Sequence, residues 1–321
     1  MLYLTKQDMI NVFSMADAFE AVSKAFAMYT SGEAEVPLRT GIHTRKVEGD
    51  ALFMPAMAGD ALGVKIVSVF LSNLKIGKPA TPATMVVMDA STGEVVCLMD
   101  GTYLTQIRTA AGAGLSMKLL ANKGAKTGAL IGLGGQAHCQ LLAMLEGAPT
   151  LTEVRVFDVD PARREAFAKE HEGLVKISPA SSADEAVTDA DIITTVTTAK
   201  KPVFKAQSVK RGAHVCGIGS YTPEMQEMPE ELVTGCDLLV FDTVDGVMSE
   251  AGDILTPLGK GLFAGRELNI EMGHVVLGKY RRQSKDWITV YKAVGSGVMD
   301  VVAAAAIYER AKAAGVGQFI G

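Results

Sequence analysis

Residues 127–147, TGALIGLGGQAHCQLLAMLEG, decide the fold of this chain. An apolar run of strand length, TGALI, ends in Gly132-Leu133-Gly134-Gly135-Gln136-Ala137 and passes directly into a helical stretch. This is a G-x-G-x-x-A pattern with strand, turn and helix in the needed order. Gly132 permits the tight turn, Gly134 lets the backbone approach a pyrophosphate, and Ala137 lets the helix pack close to the strand. The helix N-terminus then offers N–H groups and a positive dipole to phosphate. Taken alone, the pattern also fits a glycine turn in any α/β protein. The next apolar run, EVRVF, ends at Asp158, about 24 residues beyond Gly134, where a Rossmann fold places the acid that binds ribose hydroxyls. Capping the helix opened by Pro161 is the other task open to Asp158. Together the two signals predict dinucleotide binding. A carboxylate repels a 2′-phosphate, so Asp158 argues for NAD(H), while Arg163 and Arg164 keep NADP(H) open.

Outward from this unit, apolar strand candidates at 127–131, 153–157, 191–196, 213–218 and 237–241, with a weaker one at 174–177, alternate with helical or loop segments. That alternation predicts βαβ units and a parallel sheet covered on both faces. Upstream the texture differs. Ser14 with Asp17 forms a capping-box pattern ahead of a helix at 14–29 carrying Phe19, Val22, Phe26 and Tyr29 on one face. Short runs at 64–70 and 85–88, separated by Gly and Pro turns, suggest an antiparallel or mixed sheet. A helix at 102–123 with Gly124 at its C-cap follows, and an Ala-rich helix at 296–314, with no strand after it, could return to the first domain. The expected class is α/β: a Rossmann domain plus an α+β domain completed by the C-terminal helix.

The chain has 321 residues, 48% of them hydrophobic, enough for two domains with their own cores. Its 31 Lys+Arg against 36 Asp+Glu give a formal net charge of -5, and no segment concentrates basic residues, so nucleic acid is not an expected partner. No window is apolar enough for a membrane span and the N-terminus does not read as a signal peptide. Cys97, Cys139, Cys216 and Cys236 form no CxxC pair and read as reduced thiols of a cytoplasmic protein. The five histidines show no metal-ligand spacing, so no metal is expected.

Three cations lie in apolar or small-residue surroundings: Arg39 in VPLRT, Lys65 in GVKIV and Arg108 in QIRTAA. Lys65 sits within a strand-like run and Arg108 among helical core positions, so each needs an anion if buried. An anionic substrate could supply it. Otherwise such side chains snorkel to solvent or pair with a protein carboxylate.

The segments Pro37-Leu38-Arg39, Met54-Pro55-Ala56, Gly63-Val64-Lys65, Asp89-Ala90-Ser91-Thr92-Gly93, Ile107-Arg108-Thr109-Ala110-Ala111, the glycine loop, Glu250-Ala251-Gly252-Asp253 and Val294-Gly295 with Asp300 resemble the ornithine cyclodeaminase and μ-crystallin family across nearly the whole chain. The resemblance implies a homodimer whose substrate-binding and dimerisation domain spans 1–117 with 294–321, and whose NAD(P)-binding domain spans 118–293. It implies that Arg39, Lys65 and Arg108 hold the substrate carboxylate, with Lys65 and Arg108 at the reacting carbon. It implies cofactor contacts from Thr81, Arg108, Gly132, Gly134, Gly135, Gln136, Ala137, Asp158, Thr195, Thr197, Gly217, Ile218 and Gly295, with Val294 beside the nicotinamide pocket.

Two departures bear on the subfamily. Where ornithine cyclodeaminases carry a glutamate and an aspartate, this chain has Leu52 and Tyr221. A diamino acid brings a second ammonium, which would be costly to bury unpaired. Leu52 and Tyr221 suit a small substrate with one carboxylate and an apolar body, unless Glu224 or Glu227 takes over the missing roles. Within the family this points to NAD(P)H-dependent reduction of a cyclic α-imino acid, Δ1-pyrroline-2-carboxylate or Δ1-piperideine-2-carboxylate. Alanine dehydrogenase, ornithine cyclodeaminase and a non-catalytic μ-crystallin-like binder are the alternatives.

Overall fold

The computed structural model describes all 321 residues, which divide into two compact units: Met1–Ala111 with Ser296–Gly321, and Gly112–Gly295. The chain first passes between them within the helix Gly101–Leu120, which ends three residues earlier than the sequence pattern suggests.

The first unit is built on a mixed sheet. Its strands run in the order Gln318–Phe319, Leu2–Leu4, Val95–Asp100, Ala83–Asp89, Ala61–Val69, Gly49–Ala58 and Ala34–Glu35, with Thr40–Thr44 also paired to Gly49–Ala58. All pairs are antiparallel except Leu2–Leu4 with Val95–Asp100. The expectation that no strand follows the last helix is therefore corrected: Gln318 and Phe319 pair with Tyr3 and Leu2. Two residues carry no periodicity, so sequence alone gave them no signal.

Alternation along Ala61–Val69 buries Gly63, Lys65 and Val67 and turns Ile66 outward, which places the lysine on the core face of the sheet. The helix Met15–Thr30 starts at a capping box in which Ser14 Oγ accepts from Asp17 N while Asp17 Oδ2 accepts from Ser14 N, as the sequence suggested. Asp17 also pairs with Arg310 on the helix Gly297–Ala314 at 2.6 Å, a partly exposed contact worth a few tenths of a kcal/mol.

The second unit holds a seven-stranded parallel sheet in the order Lys176–Pro179, Glu153–Phe157, Thr127–Ile131, Ile192–Thr195, His214–Gly217, Thr289–Lys292 and Leu238–Phe241. Its first five members match the sequence-based strands to within two residues. The strand Thr289–Lys292 went unpredicted, and it separates His214–Gly217 from Leu238–Phe241. Ile288-Thr289-Val290-Tyr291 is β-branched and aromatic, but the segment lies beyond the strand–helix alternation that marked the others. The order reverses direction beside Thr127–Ile131. A doubly wound sheet leaves a crevice outside the carboxyl ends of its strands at such a switch point.

Candidate active site

The second unit carries a cradle at that switch point. Gly132 has φ +96°, and a Cβ there would lie 2.7 Å from Val196 O, so only glycine makes this turn. A Cβ at Gly134 would meet nothing within 4 Å, which leaves the backbone at Gly134 open to a ligand. Gly135 is exposed and Ala137 buried, and no side chain caps the helix Ala137–Gly147 at Gln136. Buried polar atoms without a partner gather here, among them Gln136 Oε1 and Thr195 Oγ1.

Asp158, 8% exposed, accepts from Leu133 N through Oδ2 at 2.9 Å and from Asp160 N through Oδ1 at 3.0 Å. The helix cap is Asp160, which accepts from Ala162 N; Asp158 instead ties the strand end to the glycine loop. Its remaining lone pairs stay open to hydroxyl donors. Arg164 is committed, donating to Ala180 O and lying over the Phe157 ring, whereas half-exposed Arg163 reaches Asp158 only at 4.0 Å and Asp160 at 3.7 Å. This donor set fits a pyrophosphate followed by a ribose.

The neighbouring strand ends are locked by buried acids, one of which, Glu227, the sequence reading considered only as a stand-in for the missing substrate-binding acids. Glu227 is fully buried and accepts from Thr197 N at 2.5 Å, Gly219 N at 2.6 Å and Ser220 N at 2.9 Å. Its own N–H and that of Met228 donate to Asp253 Oδ1, and Lys292 Nζ lies 3.0 Å from Asp253 Oδ2. Burial pushes the Glu227 carboxyl above the usual range, against the pull of Lys292. With both oxygens committed, Glu227 shapes the loops and does not replace a substrate-binding acid; Glu224 is exposed. Ile218 N donates to Thr195 O, and Gly217 closes its strand beside them. Val294 N and Gly295 N both donate to Asp242 Oδ2, which holds Gly295 at φ +86°. Tyr221 is half-buried and packs against this unit's core.

In the first unit Lys65 and Arg108 meet as the sequence expected, but around a protein carboxylate. Lys65 Nζ lies 2.7 Å from Asp300 Oδ2 and Arg108 Nε 2.7 Å from Asp300 Oδ1, with all three side chains at most 4% exposed. The anion required by each buried cation is thus partly supplied by the chain. One carboxylate serves two cations, and half-buried Arg39 lies near enough to add to their repulsion. Arg108 Nη1 is buried with no hydrogen-bond partner. Desolvation, then the charges of Arg108 and Arg39, hold the Lys65 ammonium down to about 7 despite the opposing pull of Asp300. The cluster therefore joins two buried cations to a single carboxylate and leaves one guanidinium nitrogen without a partner.

Leu52 lies two residues from Met54, the cross-strand partner of Lys65, and so faces the same side of the sheet. Thr81 is exposed in the loop ahead of Ala83–Asp89, and no described hydrogen bond ties it to the cluster. Asp300 was read only as part of the family pattern and given no site role, although its signal was present: an acid in the first turn of a helix whose next eight residues are all uncharged. A cavity of about 740 Å³ opens elsewhere in the first unit, lined by residues such as Asp17, Glu20, Lys24 and Arg310, but by none of Arg39, Lys65, Arg108 and Asp300.

The family model for the ornithine cyclodeaminase/mu-crystallin family matches residues 1–315. A Delta(1)-pyrroline-2-carboxylate reductase of Bacillus cereus is 33% identical over 326 residues, covering 100% of this chain and 99% of that protein. The solved structure of Thermococcus litoralis Delta(1)-pyrroline-2-carboxylate reductase in complex with NADH and L-proline superposes with a TM-score of 0.95 at 35% identity, over 100% of both chains. An archaeal alanine dehydrogenase dimer with bound NAD gives 0.92 at 31% identity, over 100% of this chain and 99% of that one.

Proposed function

We propose, from the premise that this chain belongs to the ornithine cyclodeaminase/mu-crystallin family, that it reduces a small cyclic α-imino acid, Δ1-pyrroline-2-carboxylate or Δ1-piperideine-2-carboxylate, to the L-amino acid at the expense of NADH. The observation that carries this reading is the buried, unpartnered Nη1 of Arg108 beside a lysine titrating near 7. Arg108 presents a preorganised donor to a carboxylate, with Arg39 adding a second charge. The arriving carboxylate raises the affinity of Lys65 for its proton, so Lys65 is charged when substrate is bound and donates to the imine nitrogen. Asp300 holds both cations in register and is a positioning residue. Leu52 puts an apolar side chain at the position where a glutamate would neutralise a second substrate ammonium.

In the second unit, Gly132, Gly134, Gly135, Gln136 and Ala137 would hold the pyrophosphate and Asp158 the adenosine ribose. Thr195, Thr197, Gly217, Ile218, Val294 and Gly295 would line the nicotinamide end, on loops set by Glu227 and Asp242. When bound, the nicotinamide would supply hydride for reduction of the C=N bond. Asp158 favours NAD(H), and Arg163, not tied down as Arg164 is, is the residue through which NADP(H) would be accepted. The Thr81 contact rests on family resemblance alone.

The first unit would also be the dimerisation unit. It exposes Leu38 (59%), Ile42 (56%), Leu71 (53%), Leu74 (58%) and Ile76 (66%), apolar side chains that a second copy could cover. Four free, buried cysteines fit a reducing compartment, the cytoplasm. No helix is long and apolar enough to cross a membrane.

A substrate panel with both nicotinamides tests the reading. Net NADH oxidation with either cyclic imino acid is expected. Ammonia release from ornithine without net change in NADH would make the protein a lyase, net NADH formation from alanine an alanine dehydrogenase, and no turnover at all a binder.

A further inference from the structure

His138 and His171 are 33 residues apart, a spacing that carries no metal signature, yet the fold of the second unit brings them into contact. His138 is the second residue of the helix Ala137–Gly147, and His171 is the C-cap of the helix Pro161–Glu170. His171 is 2% exposed, and its ring packs on Phe167 with centroids 4.1 Å apart. Its Nδ1 lies 2.8 Å from Phe167 O, which can only accept, so Nδ1 carries the proton and Nε2 a lone pair. That lone pair faces His138 Nδ1 at 2.8 Å. A carboxylate oxygen of Glu170 completes a set of three donor atoms lying within 4.8 Å of one another.

We infer that His138, Glu170 and His171 form a binding site for a divalent transition metal of the zinc type, outside the machinery assigned to the reaction. An imidazole fixed through its other ring nitrogen to a backbone carbonyl is the outer-shell arrangement that orients histidine ligands and selects the tautomer. Two imidazole nitrogens bound to one tetrahedral zinc, at about 2.05 Å each, stand about 3.3 Å apart. The observed pair therefore needs to open by only about half an ångström, with the His138 ring moving its proton to Nε2. His171 cannot turn away, because Phe167 holds it by both ring contact and hydrogen bond. His138 and Glu170 are exposed, so small side-chain adjustments toward the ion displace no core residue. Mixed nitrogen and carboxylate ligation suits zinc, cobalt or nickel better than magnesium or calcium. Three protein ligands leave a fourth position for water, so the ion would exchange readily. Bound there, it would clip the helix that follows the glycine loop to the helix that follows Asp158.

The test is a Co²⁺ titration of the chelator-treated full chain, followed by its visible absorption, with Zn²⁺ competition and a parallel thermal melt. Wild type is expected to take up one ion per chain with a tetrahedral or five-coordinate spectrum, displaced by Zn²⁺, and to melt higher with the metal bound. His138→Gln and Glu170→Gln alter exposed side chains and should fold; each is expected to weaken Co²⁺ by about tenfold or more. Uptake equal in wild type and both variants, whether weak or carried by the thiols, would overturn the site. So would an octahedral aquo spectrum at every ratio. None of these readouts depends on turnover, so failure here leaves the imino-acid reductase reading standing, and the reverse also holds.

Discussion

Replacing Lys65 by methionine keeps the length and the apolar stem of the side chain and removes one of the two cations that share Asp300. Two consequences follow. General acid catalysis by a positioned group contributes roughly 10²–10⁴-fold, so kcat for imine reduction should fall about 100-fold or more while NADH affinity holds. In the wild type, kcat/KM reports the free enzyme and needs Lys65 protonated, so it should decline as pH rises through about 7, and the variant should lack that limb. The same shift acts on stability. The folded pKa, about 7, lies below the ordinary 10.5, so between these values the unfolded chain binds more protons and stability rises with pH. Integrated from about pH 7.5 to 9.5, this single group adds about 2.5 kcal/mol to the wild type that the variant does not gain. The assays are NADH oxidation across pH and urea unfolding of both proteins at the two pH values. A variant that keeps kcat and the limb removes Lys65 from the chemistry. Parallel stabilities of the two proteins across that range would show that Lys65 is not buried as a charge against Arg108.

Asp300→Asn removes the only carboxylate paired to both Lys65 and Arg108; urea unfolding should show a loss of about 3–5 kcal/mol. Because Asp300 raises the pKa of Lys65, the alkaline limb of kcat/KM should also move to lower pH in that variant. Arg108→Lys keeps the charge but loses the planar fork, so steady-state kinetics should show a raised KM for the imino acid, about tenfold or more, with kcat reduced less. Asp158→Ala should narrow the preference for NADH over NADPH in paired titrations, and wild type binding NADPH more tightly than NADH would shift the assignment to Arg163. Leu52→Glu with Tyr221→Asp should leave the fold intact and reduce activity on the imino acid; unmutated protein that releases ammonia readily from ornithine would refute the choice of subfamily.

Much of this protein was legible because the relevant signals are local. Strand, glycine turn and helix at 127–147 are contiguous, Ser14 caps its own helix, and two-residue alternation puts Lys65 on the inner face of its strand. Lys65 and Arg108 stood out because charge in an apolar run is costly wherever the run is buried. What answers those charges was not legible. Asp300 reaches Arg108 across 192 residues, and Glu227 bonds three backbone amides that share no periodic relation with it. The strand Thr289–Lys292 takes its place between two earlier strands, the strand Gln318–Phe319 is fixed only by pairing with the N-terminus, and His138 meets His171 across two helices. Periodicity reports which face of an element is apolar. Which elements become neighbours, and so which distant acid, base or ring fills the space beside a given side chain, is set by closing the chain over long separations, and that only the tertiary structure decides.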